Sequence, residues 1–528
     1  MKKDAIIIIG IVLLGVAMYG LTLRGAPGNP TADQFKNGLD QATKAFELSP
    51  ERGRFVHVAN MAENGVYNLS QKWANIAYPD VGVSSDGKYN SFFAPGVSYF
   101  ALPFYLLGAH YGLGQVAAFA IESLVSIITL VFIYLIGRRI FELPRWASLF
   151  AVLTYGFAST SWSYAITLYQ NAFTAMFIVT GFYAVWRFAH SDSRYRFLYA
   201  SYVWLAYALA ISVDYPNAVL MLPIMLYLAA KTFSQKKVDA GIAITVRWSA
   251  IATFVVFAFA MGLQFWHNAT YYGGWSHLAG TLHNYTPASE QRPVISPAVG
   301  ATASSTASVV ATSTVSSQEK TATSFFHEKA MPQSFFVLLF SDERGLFYFS
   351  PIFLFAPLGI MYAFRKKQRD QTIYNVPAAL ILVNIFLYSA WGDPWGGWAF
   401  GPRYLIASMP WFALFVSVFL TTFTRTWAAF LARSAAFILF MYSLAISLLG
   451  VLTTNAIPPK AEAALLPIHE YNYFLNFDYL RAGKSSSFMY NTYLSHDLTL
   501  PGFFMLLYII LVLIALVTLC VTKKKHHA

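Results

Sequence analysis

Three stretches of the chain crowd carboxylates, cations and aromatic rings closely enough to do chemistry. The first runs Tyr78-Pro79-Asp80-Val81-Gly82-Val83-Ser84-Ser85-Asp86-Gly87-Lys88-Tyr89, the second Ser341-Asp342-Glu343-Arg344-Gly345-Leu346 through Ser350-Pro351. The third, Trp391-Gly392-Asp393-Pro394-Trp395-Gly396-Gly397-Trp398-Ala399-Phe400-Gly401-Pro402-Arg403-Tyr404, is the richest. Its three tryptophans, four glycines and two prolines impose an unusual backbone. Arg403 closes it with a planar fork of donors suited to a phosphate. Tryptophan and tyrosine alone would be ordinary interfacial anchors; with Asp393, Trp395 and Arg403 together the stretch reads as a ligand site. Asp80 and Asp86 are weaker candidates, because Asp86-Gly87 is also a good turn sequence.

The elements that must hold these clusters are membrane helices. The chain has 528 residues, of which 57% are hydrophobic, 17% aromatic and only 11% charged, which lies outside the range of water-soluble domains. A span needs about 20 apolar residues, and such runs occur near 5–23, 114–137, 146–160, 169–187, 197–213, 216–230, 248–266, 346–363, 372–390, 404–422, 434–452 and 501–521. The expected fold is therefore all-α and integral to the membrane, with about twelve transmembrane helices and long outer loops carrying small helices.

With twelve spans, Lys2/Lys3, Arg138/Arg139/Arg145, Arg187/Arg194/Arg196, Lys231/Lys236/Lys237/Arg247, Arg365/Lys366/Lys367/Arg369, Arg425/Arg433 and Lys523/Lys524/Lys525 all fall on one side, about 21 of the 36 basic residues. Both termini are then cytoplasmic, and the expected location is the plasma (inner) membrane. The net charge of +12 is spread over helix ends and forms no stripe, which argues against a nucleic-acid partner. The first run reads as an anchor, being long for a signal peptide and lacking a good cleavage site.

This divides the chain into a first helix at 1–23, an outer loop at 24–113, helices 2–7 at 114–266, an outer loop at 267–345, helices 8–11 at 346–452, an outer loop at 453–500, and a last helix with a basic tail at 501–528. The proline-broken stretch Val97 to Leu107 reads as an interfacial helix of the first outer loop. Residues 294–324, nearly all Ser, Thr, Ala and Val, read as a disordered insertion. The ionisable groups near the spans, Glu122 and Asp214, are expected to be paired in the bundle or to cap a helix end. No Walker A loop, dinucleotide-type glycine pattern or spaced Cys/His metal cluster is present.

At the outer clusters the sequence resembles polytopic glycosyltransferases of the type C fold, the group that includes protein O-mannosyltransferases and lipid A aminoarabinose transferases. The motifs are Gly87-Lys88-Tyr89 to Pro95-Gly96, Arg344-Gly345-Leu346 to Ser350-Pro351, and Trp395-Gly396-Gly397 to Gly401-Pro402-Arg403, in order over most of the chain. The resemblance implies transfer of a sugar from a polyprenyl-phosphate carrier to a glycan, lipid or protein acceptor on the outer face, with inversion, as in cell-envelope glycosylation. It also implies a carboxylate base in the first outer loop, which falls on Asp80 with Asp86 and Asp33 as rivals. Arg403 would hold the phosphate, assisted by Arg344 and Lys88, with Asp393, Trp395 and Tyr89 in the substrate site. A phosphate monoester leaves without a strong acid, so a base worth about 10²–10⁴-fold and cations against developing charge suffice. Some members use divalent ions, and no metal site is assigned in this chain. The competing reading is a transporter or lipid-linked sugar flippase, which should place polar residues at the bilayer midplane; here they gather at the outer rim.

Overall fold

The computed structural model describes residues 2–35, 46–191, 195–238, 241–285, 326–365, 371–423, 427–467 and 469–520. The 294–324 insertion, the basic tail beyond 520, Arg194, Lys366, Lys367, Arg369 and Arg425 lie outside the described residues.

Apolar runs become helices because a bilayer leaves the backbone no other donors and acceptors. Nine helices among the described residues are long and apolar enough to cross: Lys2–Thr22, Gly114–Arg139, Asn171–His190, Arg196–Val213, Trp248–Tyr271, Thr372–Ser389, Arg403–Thr422, Trp427–Leu452 and Leu500–Cys520. The three other apolar runs form shorter or interrupted helices. Arg145–Phe157 is followed by a separate turn at Ser161–Tyr164. Asn217–Leu220 and Leu222–Thr232 follow Pro216. A break at Ser350-Pro351 separates Leu346–Phe349 from the turn Pro351–Phe355 and the helix Ala356–Arg365, as expected where proline removes a backbone donor.

The helix Gly114–Arg139 packs against Lys2–Thr22, Gly96–Ala109, Arg145–Phe157 and Asn171–His190. Small residues allow the closest approaches: a Cβ on Gly359 would lie 1.9 Å from the Phe415 carbonyl oxygen. At the basic end of the bundle, Asp4 accepts from Tyr134 Oη at 2.8 Å and pairs with Arg145 at 2.9 Å, tying three helices together.

At the opposite end the outer segments interlock. A small antiparallel sheet orders Tyr89–Ser91, Val81–Val83 and His283–Asn284, with Val81 opposite Ser91 and Gly82 opposite Asn284. Lys88 Nζ donates to the Thr270 carbonyl at 2.7 Å, and Tyr285 Oη donates to Asn75 at 2.6 Å. Asp342 accepts from Tyr471 Oη at 2.8 Å and Glu343 from the Lys460 amide at 2.8 Å. Behind them Arg24 is sealed against Glu47 at 2.6 Å and the Gly450 carbonyl at 2.7 Å. The small helix Gly96–Ala109 lies among these segments and exposes Leu106 and Leu107.

Candidate active site

A cavity of about 530 Å³ opens where several helices end. Asp214 follows the last residue of Arg196–Val213, Gln170 caps Asn171–His190, Tyr388 sits at the end of Thr372–Ser389, and Arg403 and Tyr404 open the next span. Arg54, from the helix Ser49–Asn64 of the first outer loop, completes the polar lining. Phe92, Phe93, Trp391 and Phe326 supply apolar wall.

Local sequence places each group. Asp214 ends its helix in extended geometry (φ −158°, ψ 122°), two residues before Pro216, which has no backbone N–H to continue the helix. The half-buried carboxylate accepts from Gln170 Nε2 at 3.4 Å through Oδ2. Burial pushes its carboxyl up from 3.8 to about 6, against the opposing pull of Arg54, the Gln170 hydrogen bond and Arg403. Gln170 Oε1 in turn accepts from Arg54 Nη2 at 2.6 Å. Arg54 also donates to the Pro50 carbonyl at 2.9 Å and stacks on Phe93 at 4.6 Å. Burial lowers it to about 10, with Asp214 and Glu122 acting the other way, so it stays cationic at neutral pH.

Arg403 is half-buried, its guanidinium 5.4 Å from the Tyr404 ring and 5.8 Å from the Tyr169 ring. Among the described residues it meets no carboxylate at ion-pair distance, and its Nε makes no hydrogen bond. The loop before it is built to present it. Asp393 accepts from the Gly396 amide at 3.1 Å and the Gly397 amide at 2.7 Å. Gly396 holds φ +69°, and a Cβ there would sit 2.6 Å from Arg403 Nε, so glycine is needed both for the backbone and for the guanidinium lying on it.

The residues expected from sequence separate into two groups. Arg403 lines the cavity. Arg344 does not: it is 1% exposed and donates to the carbonyls of Trp395 at 3.1 Å, Glu343 at 2.8 Å, Gly397 at 3.2 Å and Ile457 at 2.8 Å. Its fork is used to pin the loop, and Asp393 and Trp395 likewise build the loop outside the lining. Lys88 is paired with Asp86 at 2.6 Å, and Tyr89 packs edge-on to Tyr285 at 5.0 Å.

The three expected carboxylates also lie off the lining. The hydrogen bonds of Lys88 and Ser84 hold the Asp86 carboxyl below its usual range at the hairpin turn. Asp33 is paired with Lys72 at 3.0 Å on the surface. The Asp80 backbone carbonyl accepts from the amide of Phe92 at 3.0 Å, and its amide donates to the Ala77 carbonyl at 3.2 Å. Glu122, expected to be satisfied in the bundle, is fully buried with neither carboxylate oxygen hydrogen-bonded among the described residues.

Arg54 and Gln170 carried no motif in the sequence, and Asp214 read as a helix end; only its position two residues before Pro216 distinguished it. One carboxylate between two guanidiniums is not a donor set for a divalent ion. Among the described residues no group of three His, Cys, Asp or Glu comes together.

Comparison with known proteins bears on this arrangement. No curated protein matches the chain. Among solved structures it is similar to ArnT from Cupriavidus metallidurans bound to undecaprenyl phosphate, with 12% identity and a TM-score of 0.48 over 98% of this chain and 78% of that one. It is also similar to the Archaeoglobus fulgidus oligosaccharyltransferase in the apo form (12%, 0.43) and to AglB from Archaeoglobus fulgidus in complex with an inhibitory peptide and a dolichol-phosphate (12%, 0.42). Each of the last two covers 86% of this chain, which spans 56% of their length. The sequence model of the dolichyl-phosphate-mannose-protein mannosyltransferase family matches residues 94–266, about a third of the chain. The stretch that is similar to that family's model contains Gln170 and Asp214 of the cavity lining.

Proposed function

We propose that this multi-pass membrane protein transfers a sugar from a polyprenyl-phosphate-linked donor to an acceptor hydroxyl, with inversion, in the cavity at the outer ends of its helices. The observation that carries this reading is the convergence of two guanidiniums, Arg54 and Arg403, on one aromatic-walled cavity where several membrane helices end. A charged pair brought there needs a counter-charge, since cations so poorly hydrated are expensive unless a ligand meets them. A phosphate monoester leaving group supplies that charge, and fixed donors stabilise what develops on it as the sugar departs. The volume, about 530 Å³, lies within the usual range for a small-molecule site and accommodates a sugar phosphate while the isoprenoid stays among apolar side chains. The family segment at 94–266 supports the donor class.

The test is transfer of radiolabelled sugar from a panel of polyprenyl-phosphate donors by the full chain in lipid nanodiscs, with cell-envelope glycans, lipids and membrane protein as acceptors. Wild type should form labelled product. Arg403→Ala should lower kcat/KM by about 10²–10³-fold, the usual cost of one preorganised donor to a developing anion. No product from any donor, or donor translocation without transfer, would overturn the reading.

A further inference from the structure

We propose that Asp214 is the catalytic base of this site, with Gln170 as the residue that holds it apart from Arg54. The assignment rests on the transferase reading and moves the base from the first outer loop to the end of a transmembrane helix.

Placement comes first. Among the described residues Asp214 is the one Asp or Glu lining the cavity. Its Oδ2 is occupied by Gln170 Nε2 at 3.4 Å, and among the described residues its Oδ1 makes no hydrogen bond and is available to a hydroxyl. Asp80 lies off the lining, and four other carboxylates of the same loop are committed elsewhere. Asp86 and Asp33 are held by Lys88 and Lys72. Glu47 is held by Arg24, and Glu51 accepts from the Leu48 amide and from Thr167.

Connection comes second. Gln170 sits between Arg54 and Asp214 with its amide orientation determined at both ends: Oε1 faces the guanidinium at 2.6 Å and Nε2 the carboxylate at 3.4 Å. A direct Arg54–Asp214 ion pair would hold the carboxylate ionised and drain its affinity for a proton. The interposed amide couples the phosphate grip to the base at a set spacing while preventing that contact. The charged and titratable groups around Asp214 are Arg54, Arg403, Tyr215, Tyr388 and Tyr404. The balance leaves its carboxyl near 6, which suits a base that must be ionised at neutral pH yet take a proton.

In the step, the acceptor hydroxyl gives its proton to Asp214 Oδ1 as its oxygen bonds to the anomeric carbon. The bond from that carbon to the phosphate oxygen breaks, and its electron pair leaves with polyprenyl phosphate, held by Arg54 and Arg403. The proton then passes from Asp214 to solvent.

The experiment is single-turnover transfer by the full chain in nanodiscs between pH 5 and 8, for wild type, Asp214→Asn, Asp214→Glu, Gln170→Ala, Asp80→Asn and Asp86→Asn. Asn keeps the acceptor for Gln170 Nε2 and the volume, so it removes basicity with the hydrogen bond retained. Wild type should show an acid limb near pH 6. Asp214→Asn should lose about 10²–10⁴-fold in rate, change donor KM by less than about threefold and lack the limb, while Asp214→Glu keeps part of the rate. Gln170→Ala should shift the limb to lower pH as Arg54 closes on the carboxylate. The assignment fails if Asp214→Asn stays within about threefold of wild type, if wild type has no acid limb, or if Asp80→Asn or Asp86→Asn alone abolishes transfer. A wild type inactive with every donor removes the transferase reading and this assignment with it, a result distinct from active wild type with active Asp214→Asn.

Discussion

Arg344 and Arg403 show how one residue type takes opposite roles. Arg344 spends its donors on four backbone carbonyls and is 1% exposed; Arg403 rests on aromatic faces with Nε unpaired. Arg344→Leu should therefore destabilise the fold by about 3–5 kcal/mol, because four carbonyls lose their donor, the Ile457 one fully buried, and should expose the 391–404 loop to limited proteolysis. Arg403→Leu should leave the melting temperature near wild type while abolishing donor use. Asp214 makes a second residue-scale prediction. Its folded carboxyl sits at about 6, above the usual 3.8, so folding favours the protonated form. That contribution is complete below about pH 4 and is lost as pH rises through 6. In nanodisc melts, Asp214→Asn should match wild type near pH 4 and exceed it at pH 7.5; a difference independent of pH would contradict the burial of an ionisable base.

The decisive element is the loop between Thr372–Ser389 and Arg403–Thr422. Its carboxylate cap at Asp393, its positive-φ glycine at 396 and the Arg344 clamp together define where the Arg403 guanidinium lies. Gly396→Ala combines a disfavoured φ of +69° with a Cβ 2.6 Å from Arg403 Nε, and should raise donor KM and lower kcat together, by about tenfold or more in kcat/KM, since a misplacement of about 1 Å can cost 10²-fold. Gly397 also has positive φ, at +63°, but nothing lies within 4 Å of its added Cβ. Gly397→Ala should carry the backbone cost alone, a smaller loss of activity with a modest drop in melting temperature. Equal effects of the two substitutions would show that the contact with Arg403 is irrelevant.

Across the whole molecule, antiparallel spans bring their outer ends to one level, so residues far apart in sequence share a cavity: Arg54, Gln170, Asp214, Tyr388 and Arg403. The basic ends, Arg187 and Arg196 among them, lie at the other ends of the same helices. In a Cys520→Ser background, which removes the chain's single cysteine, Lys72→Cys should react with impermeant maleimide added outside intact cells. Glu142→Cys should react only after permeabilisation. The reverse pattern would invert the topology and place the cavity on the cytoplasmic side.

Composition and apolar periodicity were enough to read the membrane class, the helical architecture and the clustering of polar residues at one rim, because a hydrocarbon core imposes length and polarity rules that each segment obeys by itself. Each of the twelve apolar runs carries helix, and proline accounts for two of the three that fall short of an unbroken span. The 391–404 loop as a constrained segment ending in Arg403 was legible for the same local reason: glycine, proline and tryptophan in that density constrain the backbone wherever they occur. The partners of that arginine were not legible. Whether a charged side chain is consumed by a carbonyl, a lysine or nothing depends on segments more than a hundred residues away, as Arg344 to Ile457 and Lys88 to Thr270 show. The resemblance put the base in the first outer loop, on Asp80, Asp86 or Asp33, and Asp214 read as a helix end. Tertiary structure sets Asp214, Gln170 and Arg54, and none of the three loop aspartates, at the edge of one cavity. Reactivity there follows from burial and from the charges that face each other, and both exist only after the spans have packed.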